Sequence, residues 1–211
     1  WCRCLSVHSA VLMSWQLLWN GRDLSGWKSN SPNGDMNKGW KVVDGELVIM
    51  ARSGAGDIIT EKRYHDFELS IDFKITEGAN SGIKYFIGEN GSIGCEFQIL
   101  DDENHPDAKM GFNGNRRLGS LYDLIPADGW ALVAKRDWNT ARIVVRGNHV
   151  EHWLNGVKIL EYEKNNDMWD TIVSHSKFAK VENFAGGDGG HILLQDHHDE
   201  VHYRNLKIRE L

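Results

Sequence analysis

The segment from Asp66 to Ile75 alternates without a break. Phe67, Leu69, Ile71, Phe73 and Ile75 fall on one side, and Glu68, Ser70, Asp72 and Lys74 on the other. A period of two puts successive side chains on opposite faces of an extended chain, so this stretch predicts a half-buried antiparallel strand. The pattern recurs along the chain, cut by turns of Asn, Asp and Gly. Asp44-Gly45 separates two apolar runs, and so do Gly147-Asn148 and Asn155-Gly156. Such dipeptides between alternating runs are hairpin signals. Further strands are expected at 57–60, 81–87, 94–100, 120–125, 138–146, 191–197 and 201–209, with a short helix at 167–178. Many short strands with close turns predict an all-β antiparallel sandwich or jelly roll.

At 211 residues with no repeat or linker, the pattern fits one domain over 16–211. Residues 1–15 do not share it, and their apolar patch Ala10–Met13 is too short for a secretory core, so they are expected to lie outside the domain. A net charge of -6, no basic stripe and no phosphate-cradling glycine loop argue against nucleic acid and against a nucleotide cofactor. No run of apolar residues is long enough for a membrane-spanning helix. Three cysteines give neither a disulfide framework nor a zinc spacing. Nine tryptophans are unusual; on a β scaffold they serve as core packing or as platforms under a sugar ring.

Chemistry-bearing residues cluster in a few places. Within Glu96-Phe-Gln-Ile-Leu-Asp101, the apolar Cys95, Phe97 and Ile99 should face the core, so Glu96 and Gln98 project from the opposite face. An acid and an amide there suit a cleft wall; the plainer alternative is a solvated strand. The polar stretch Asp101–Asn115 follows, and Asp101 with His105 could ligate a divalent cation or supply a base near neutral pH. The plainer alternative is a solvated acidic loop. Gln195 and His197 share a face in strand alternation with His191 and Leu193 and could meet Glu96 and Gln98 across a concave sheet. Lys84 lies on the side away from the apolar face, where it could hold a substrate oxygen or stabilise an enolate. Tyr122, Asp123 and Trp153 complete the candidates for substrate contact.

Ten pieces occur in an order that resembles the 3-keto-disaccharide hydrolase domain family, long catalogued as domain of unknown function 1080. They are Leu18-Trp-Asn-Gly-Arg-Asp-Leu-Ser-Gly-Trp27, Trp40-Lys-Val-Val-Asp-Gly-Glu-Leu47, Asp66-Phe-Glu-Leu69, Asn80-Ser-Gly-Ile83, Glu96-Phe-Gln-Ile-Leu-Asp101, Gly119-Ser-Leu-Tyr-Asp123, Trp138-Asn139, His152-Trp-Leu-Asn-Gly156, Gln195-Asp-His197 and Arg204-Asn-Leu-Lys-Ile-Arg209. The resemblance spans 16–211. It implies a concanavalin A-like jelly roll, a periplasmic or extracellular location, and action on glycosides whose C3 hydroxyl is already a ketone. A 3-keto group acidifies the C2 proton; its removal gives an enolate that expels the C1 substituent, and water adds back. That chemistry needs a base, an electrophile for the C3 oxygen and an acid for the leaving group. A divalent cation would serve as the electrophile. Glu96, Asp101, His105 and His197 are the candidates for base or ligand, with Glu96, Asp101 and His105 as the metal set; Lys84, Gln98, Tyr122, Asp123, Trp153 and Gln195 would bind substrate. His198 departs from the family pattern, standing where glycine is expected.

Two other functions fit the same features. One is a lectin-like module that binds sugar without catalysis. The other is a retaining glycosidase of family 16 type, whose paired carboxylates would fall at Glu96 and Asp101, with Gln98 in the middle position.

Overall fold

The computed structural model describes residues 14–89, 91–128, 133 and 136–211. The strands are β1 (Gln16–Leu17), β2 (Trp27–Ser29), β3 (Trp40–Val43), β4 (Glu46–Ile49), β5 (Ile58–Thr60), β6 (Phe67–Ile75), β7 (Asn80–Ile87), β8 (Cys95–Leu100), β9 (Asn139–Arg146), β10 (His149–Leu154) and β11 (Val157–Glu163). The helix α1 (Asp167–Ser174) precedes β12 (His191–Leu194) and β13 (Val201–Glu210). One sheet runs β11-β10-β9-β6-β13-β4-β3, with β1 paired to β13; the other runs β2-β5-β12-β7-β8. Every pairing is antiparallel. The two sheets stack as a jelly-roll sandwich, as the alternation predicted.

The hairpins form where the sequence placed them. Asp44 and Gly45 take φ of 50° and 75°, and Asn155 and Gly156 take 48° and 82°. Two successive positive φ values make the primed turn whose twist matches antiparallel strands. Between the sheets, Phe67, Leu69, Ile71 and Phe73 of β6 meet Ile83, Phe97, Ile99, Ile192 and Leu194 in one core. Trp19, Trp27, Trp40 and Trp169 are buried in it. The indole N–H of Trp27 donates to the Leu18 carbonyl at 3.0 Å and that of Trp40 to Gly56 at 2.8 Å, so neither buries an unpaired donor.

Two strand expectations change. Residues 120–125 form a tight turn, held by isolated bridges from Leu121 to Phe97 and to Ile125, because Gly119 and Asp123 take φ of 80° and 60°. The strand expected to reach 197 ends at Leu194, and residues 195–199 form a turn held by Asp196. The expected extension 1–15 lies outside the described residues except for Ser14 and Trp15; the Trp15 ring lies 4.9 Å from the Arg209 guanidinium and 5.0 Å from the Lys207 ammonium. Among the described residues, no helix is long and apolar enough to cross a membrane.

Candidate active site

In antiparallel strands, directly opposed residues share a face. Lys84 opposes Glu96 and Gly82 opposes Gln98, so all four positions belong to the outer face of the smaller sheet. The Gln195 N–H donates to the Gly82 carbonyl at 3.0 Å and adds a third strip to that face. Tyr122 hangs on the free edge of β8, its N–H donating to the Glu96 carbonyl at 3.0 Å. The result is a cavity of about 300 Å³ lined by Asn80, Lys84, Glu96, Gln98, Tyr122, Gln195 and His197, with Asp107, Lys177, Phe178, Val181 and residues 92–94 closing its sides. That volume is at the small end for ligand sites, enough for about one sugar ring and its first substituent.

Glu96 is the centre of this arrangement. It is only 6 % exposed, and its side chain lies across Gly82, where a Cβ would stand 2.8 Å from the Glu96 carboxyl carbon. Burial pushes its pKa up to about 7, against the opposing pull of Lys84 and Lys177; the nearby Asp57 adds to the rise. The Lys84 ammonium sits 3.7 Å from Glu96 Oε1 and donates to the Ser92 carbonyl at 3.1 Å. Asp57 is also raised by burial, and its Oδ1 accepts from the Asp196 N–H at 2.8 Å, tying the Gln195–His197 turn to the sheet. A carboxyl group poised near neutrality beside two cations suits proton transfer at physiological pH.

Two amides carry unpaired acceptors. The Gln98 Nε2 donates to the Arg116 carbonyl at 3.0 Å, while Oε1 is buried with no partner among the described residues. Gln195 Oε1 is in the same condition. Two orphaned acceptors in one cavity are costly unless a ligand donates to them, and sugar hydroxyls are such donors. Tyr122 stays protonated: burial raises its pKa and the Asp107 carboxylate adds to the rise. Its ring is held between the Arg116 guanidinium at 5.3 Å and the Lys177 ammonium at 5.2 Å.

Four candidates do not line the cavity: Asp101, Asp123, Trp153 and His105. Asp101 does not line the cavity; its carboxylate accepts from Gly78 N at 2.8 Å, Asn104 Nδ2 at 2.8 Å and Glu103 N at 3.2 Å, and organises the following turn. Burial raises its pKa, but those donors outweigh the burial and hold it below the usual value. Of the two carboxylates that a family 16 site would pair, only Glu96 lines the cavity. Asp123 is 7 % exposed and does not line the cavity; both of its oxygens are taken, by Arg116 Nε at 2.7 Å and Lys177 N at 2.8 Å, and it ties the cavity wall in place. Trp153 lies in the larger sheet on the face away from the core, its ring 4.0 Å from the Arg142 guanidinium and its N–H on Glu151. None of the described tryptophans lines the cavity. His191, expected on the face of Gln195, does not line the cavity; its ring is buried and donates from Nδ1 to the Thr60 carbonyl at 2.6 Å. The residues that the sequence reading missed are Asn80, Asp57, Asp107, Lys177 and the apolar wall; Asp57 and Lys177 arrive from segments with no motif of their own.

The metal set also changes. His105, His197 and Asp199 bring ligand atoms within 4.8 Å of one another, whereas Glu96 and Asp101 are not part of this group. Two imidazoles and a carboxylate suit a divalent cation of borderline softness. The Asp107 N–H donates to His105 Nδ1 at 3.0 Å, capping the turn Pro106–Lys109. Ligation through either His105 nitrogen gives up that cap, because Nδ1 must then carry the metal or a proton.

A relative from Bacteroides thetaiotaomicron named 3-keto-disaccharide hydrolase is 32% identical over 225 residues, which cover 92% of this chain and 77% of its own. A crystal structure from Parabacteroides distasonis, of a protein described as a glycosyl hydrolase by inference, matches with a TM-score of 0.81 at 29% identity over 98% of both chains. The β-glucanase of Bacillus licheniformis shares the fold alone, with a TM-score of 0.54 at 13% identity, covering 94% of this chain and 98% of its own. The family profile described as a 3-keto-alpha-glucoside-1,2-lyase-like domain matches residues 14–209, and the chain belongs to that family.

Proposed function

We propose that this protein cleaves 3-keto-glycosides by removing the C2 proton, eliminating the C1 substituent and hydrating the product. Family membership and the relative's name support a hydrolase acting on sugars. The observation that carries the keto chemistry is Glu96: a buried carboxyl group with a pKa of about 7, set 3.7 Å from the Lys84 ammonium.

Ionised Glu96 takes the C2 proton. The C2–H electron pair forms C2=C3 as the carbonyl pair moves onto the C3 oxygen, and the collapse of this enolate restores C3=O and makes C1=C2 as the C1–O bond breaks. The Lys84 ammonium stabilises charge on the C3 oxygen, as a preorganised cation does at a developing enolate. Tyr122, kept protonated, donates to the leaving oxygen and regains its proton from Glu96 through solvent. Water then adds across C1=C2, giving the free 3-keto sugar, so one water is consumed for each aglycone released. Gln98 and Gln195 accept from the ring hydroxyls and fix the sugar against the sheet. A cation held by His105, His197 and Asp199 would polarise a substrate oxygen as a Lewis acid.

The test is product formation from a 3-keto-glucoside deuterated at C2 and from its unoxidised parent, each with and without EDTA. Cleavage of the keto sugar alone, with loss of the C2 deuterium to solvent, is expected. Cleavage of the parent, or full retention of deuterium, would overturn the reading. Loss of activity with EDTA would assign a working metal to the His105 group.

A further inference from the structure

Four aromatic rings run in a near-parallel column from the core to the cavity. Tyr162 and Trp169 are 5.2 Å apart at 9°, Trp169 and Phe184 are 6.1 Å apart at 17°, and Phe184 and Phe178 are 4.4 Å apart at 12°. The first three are buried, and Phe178, half-buried, ends the column in the cavity wall. Tyr162 belongs to β11, and the other three rings to the segment between β11 and β12. The column's cavity end is fixed at two points: Asp123 Oδ2 accepts from the Lys177 N–H at 2.8 Å, and Ser176 Oγ accepts from the Phe178 N–H at 3.0 Å. Phe178 is therefore a preorganised surface, ordered before any ligand arrives.

The cavity has two chemically distinct sides. Lys84, Glu96, Gln98, Gln195 and Asn80 form the polar floor on the sheet; Phe178, Val181 and Ile93 supply the apolar part of its sides, beside Lys177 and Asp107. The Ile93 side chain stands at the rim, 52% exposed, on the connection between β7 and β8. A second sugar could lay the C–H face of its ring on Phe178, but Val181 and Ile93 offer its hydroxyls no donor or acceptor, and each hydroxyl they cover loses its water unpaired. A flat apolar group would instead lose unfavourable contact with water and stack on Phe178 in the offset geometry that aromatic rings prefer.

We propose that Phe178, Val181 and Ile93 form the leaving-group subsite and that it selects a planar apolar aglycone, such as a phenol, over a second sugar. The proposal rests on the reading of the cavity as a 3-keto-glycoside site. The sugar that loses its C2 proton lies on the polar floor over Glu96, and its C1 oxygen points to the wall. The segment carrying α1 and the aromatic column is thus a specificity element, separate from the sheet that carries the base.

The experiment compares kcat/KM for a phenyl and a glucosyl 3-keto-glucoside of one anomeric configuration, in the full chain and in Phe178→Ala and Ile93→Ala. Phenolate is intrinsically the better leaving group, but the ratio of variant to parent for each substrate cancels that difference. Both variants are expected to lower the phenyl value by roughly 10- to 100-fold and the glucosyl value by no more than about 3-fold, the range a lost apolar contact spans. Ile93 is exposed, so its truncation leaves folding intact and separates a subsite from a structural role. Equal losses on both substrates in both variants, or a larger loss on the glucosyl one, would overturn the subsite while leaving the cavity reading in place. A chain that cleaves neither keto substrate overturns both.

Discussion

Glu96 carries two opposite demands. As a base it must be ionised, yet burial favours its neutral form and moves its pKa from 4.5 to about 7. Activity limited by this group should therefore rise with pH through about 7 and level off above it. Stability should do the reverse. The folded chain holds the proton more tightly than the unfolded one, so the contribution is complete below 4.5 and is lost as pH rises through about 7. The difference between the two protonation states is on the order of 3 kcal/mol. Glu96→Gln keeps the shape and removes the charge. Turnover of a 3-keto-glucoside should fall by about 100-fold or more. Thermal melts at pH 5 and pH 8 should show the variant gaining on the parent at the higher pH. Equal gains at both pH values would mean that Glu96 is not the buried proton acceptor described above.

At the scale of the strand pair β7–β8, the glycine opposite Gln98 is what admits the Glu96 carboxyl. Gly82 leaves the slot that Glu96 occupies, and a Cβ there would fall 2.5 Å from Oε2 and 2.8 Å from Cδ. Gly82→Ala should leave the strand paired but displace the carboxylate, and a shift near 1 Å at a reacting group costs on the order of 100-fold in rate. A fall in kcat of at least 10-fold with a melting temperature within a few degrees of the parent is the expected outcome; an unchanged kcat would place the reacting atoms elsewhere. The strands of this pair were legible because alternation records which face is buried. So was the outward aim of Lys84, Glu96 and Gln98. Gln195 and His197 were legible as partners for the same reason, although their strand ends at Leu194. What alternation cannot show is where a turn folds back. Asp101 and Asp123 read as free acids, yet backbone N–H groups and Arg116 consume their oxygens. Lys177 and Phe178 reach the cavity only through the docking of a helical segment, a long-range event without a local signature. His198, expected to stand where the resembling family has glycine, takes a φ of 72°, a conformation that glycine adopts without strain.

Across the whole sandwich, a second buried group sets the other limb of the pH response. His152 of β10 donates from Nδ1 to the Gly119 carbonyl at 2.9 Å, so its Nε2 accepts from the Tyr85 hydroxyl of β7 at 2.6 Å. Tyr85 in turn meets the Tyr162 hydroxyl of β11 at 2.8 Å, so the chain crosses between the two sheets inside the core. Burial lowers the His152 pKa from 6.5 to about 4, against the opposing pull of the Gly119 carbonyl. The unfolded chain takes up a proton that the folded chain refuses, so this contribution is complete above 6.5 and is lost as pH falls through about 4. Its size is again on the order of 3 kcal/mol. Glu96 weakens the fold as pH rises and His152 weakens it as pH falls, so these two groups together favour a maximum between about pH 5 and 6. His152→Phe should lower stability by about 2 kcal/mol or more above pH 6.5, since Tyr85 and Gly119 each lose a buried partner, and the deficit should shrink or reverse as pH falls toward 4. Urea midpoints measured from pH 4 to pH 8 should also show a flatter acid limb in the variant, with the alkaline limb set by Glu96 unchanged. An acid limb as steep as the parent's would show that other groups, not the inter-sheet histidine, govern acid unfolding.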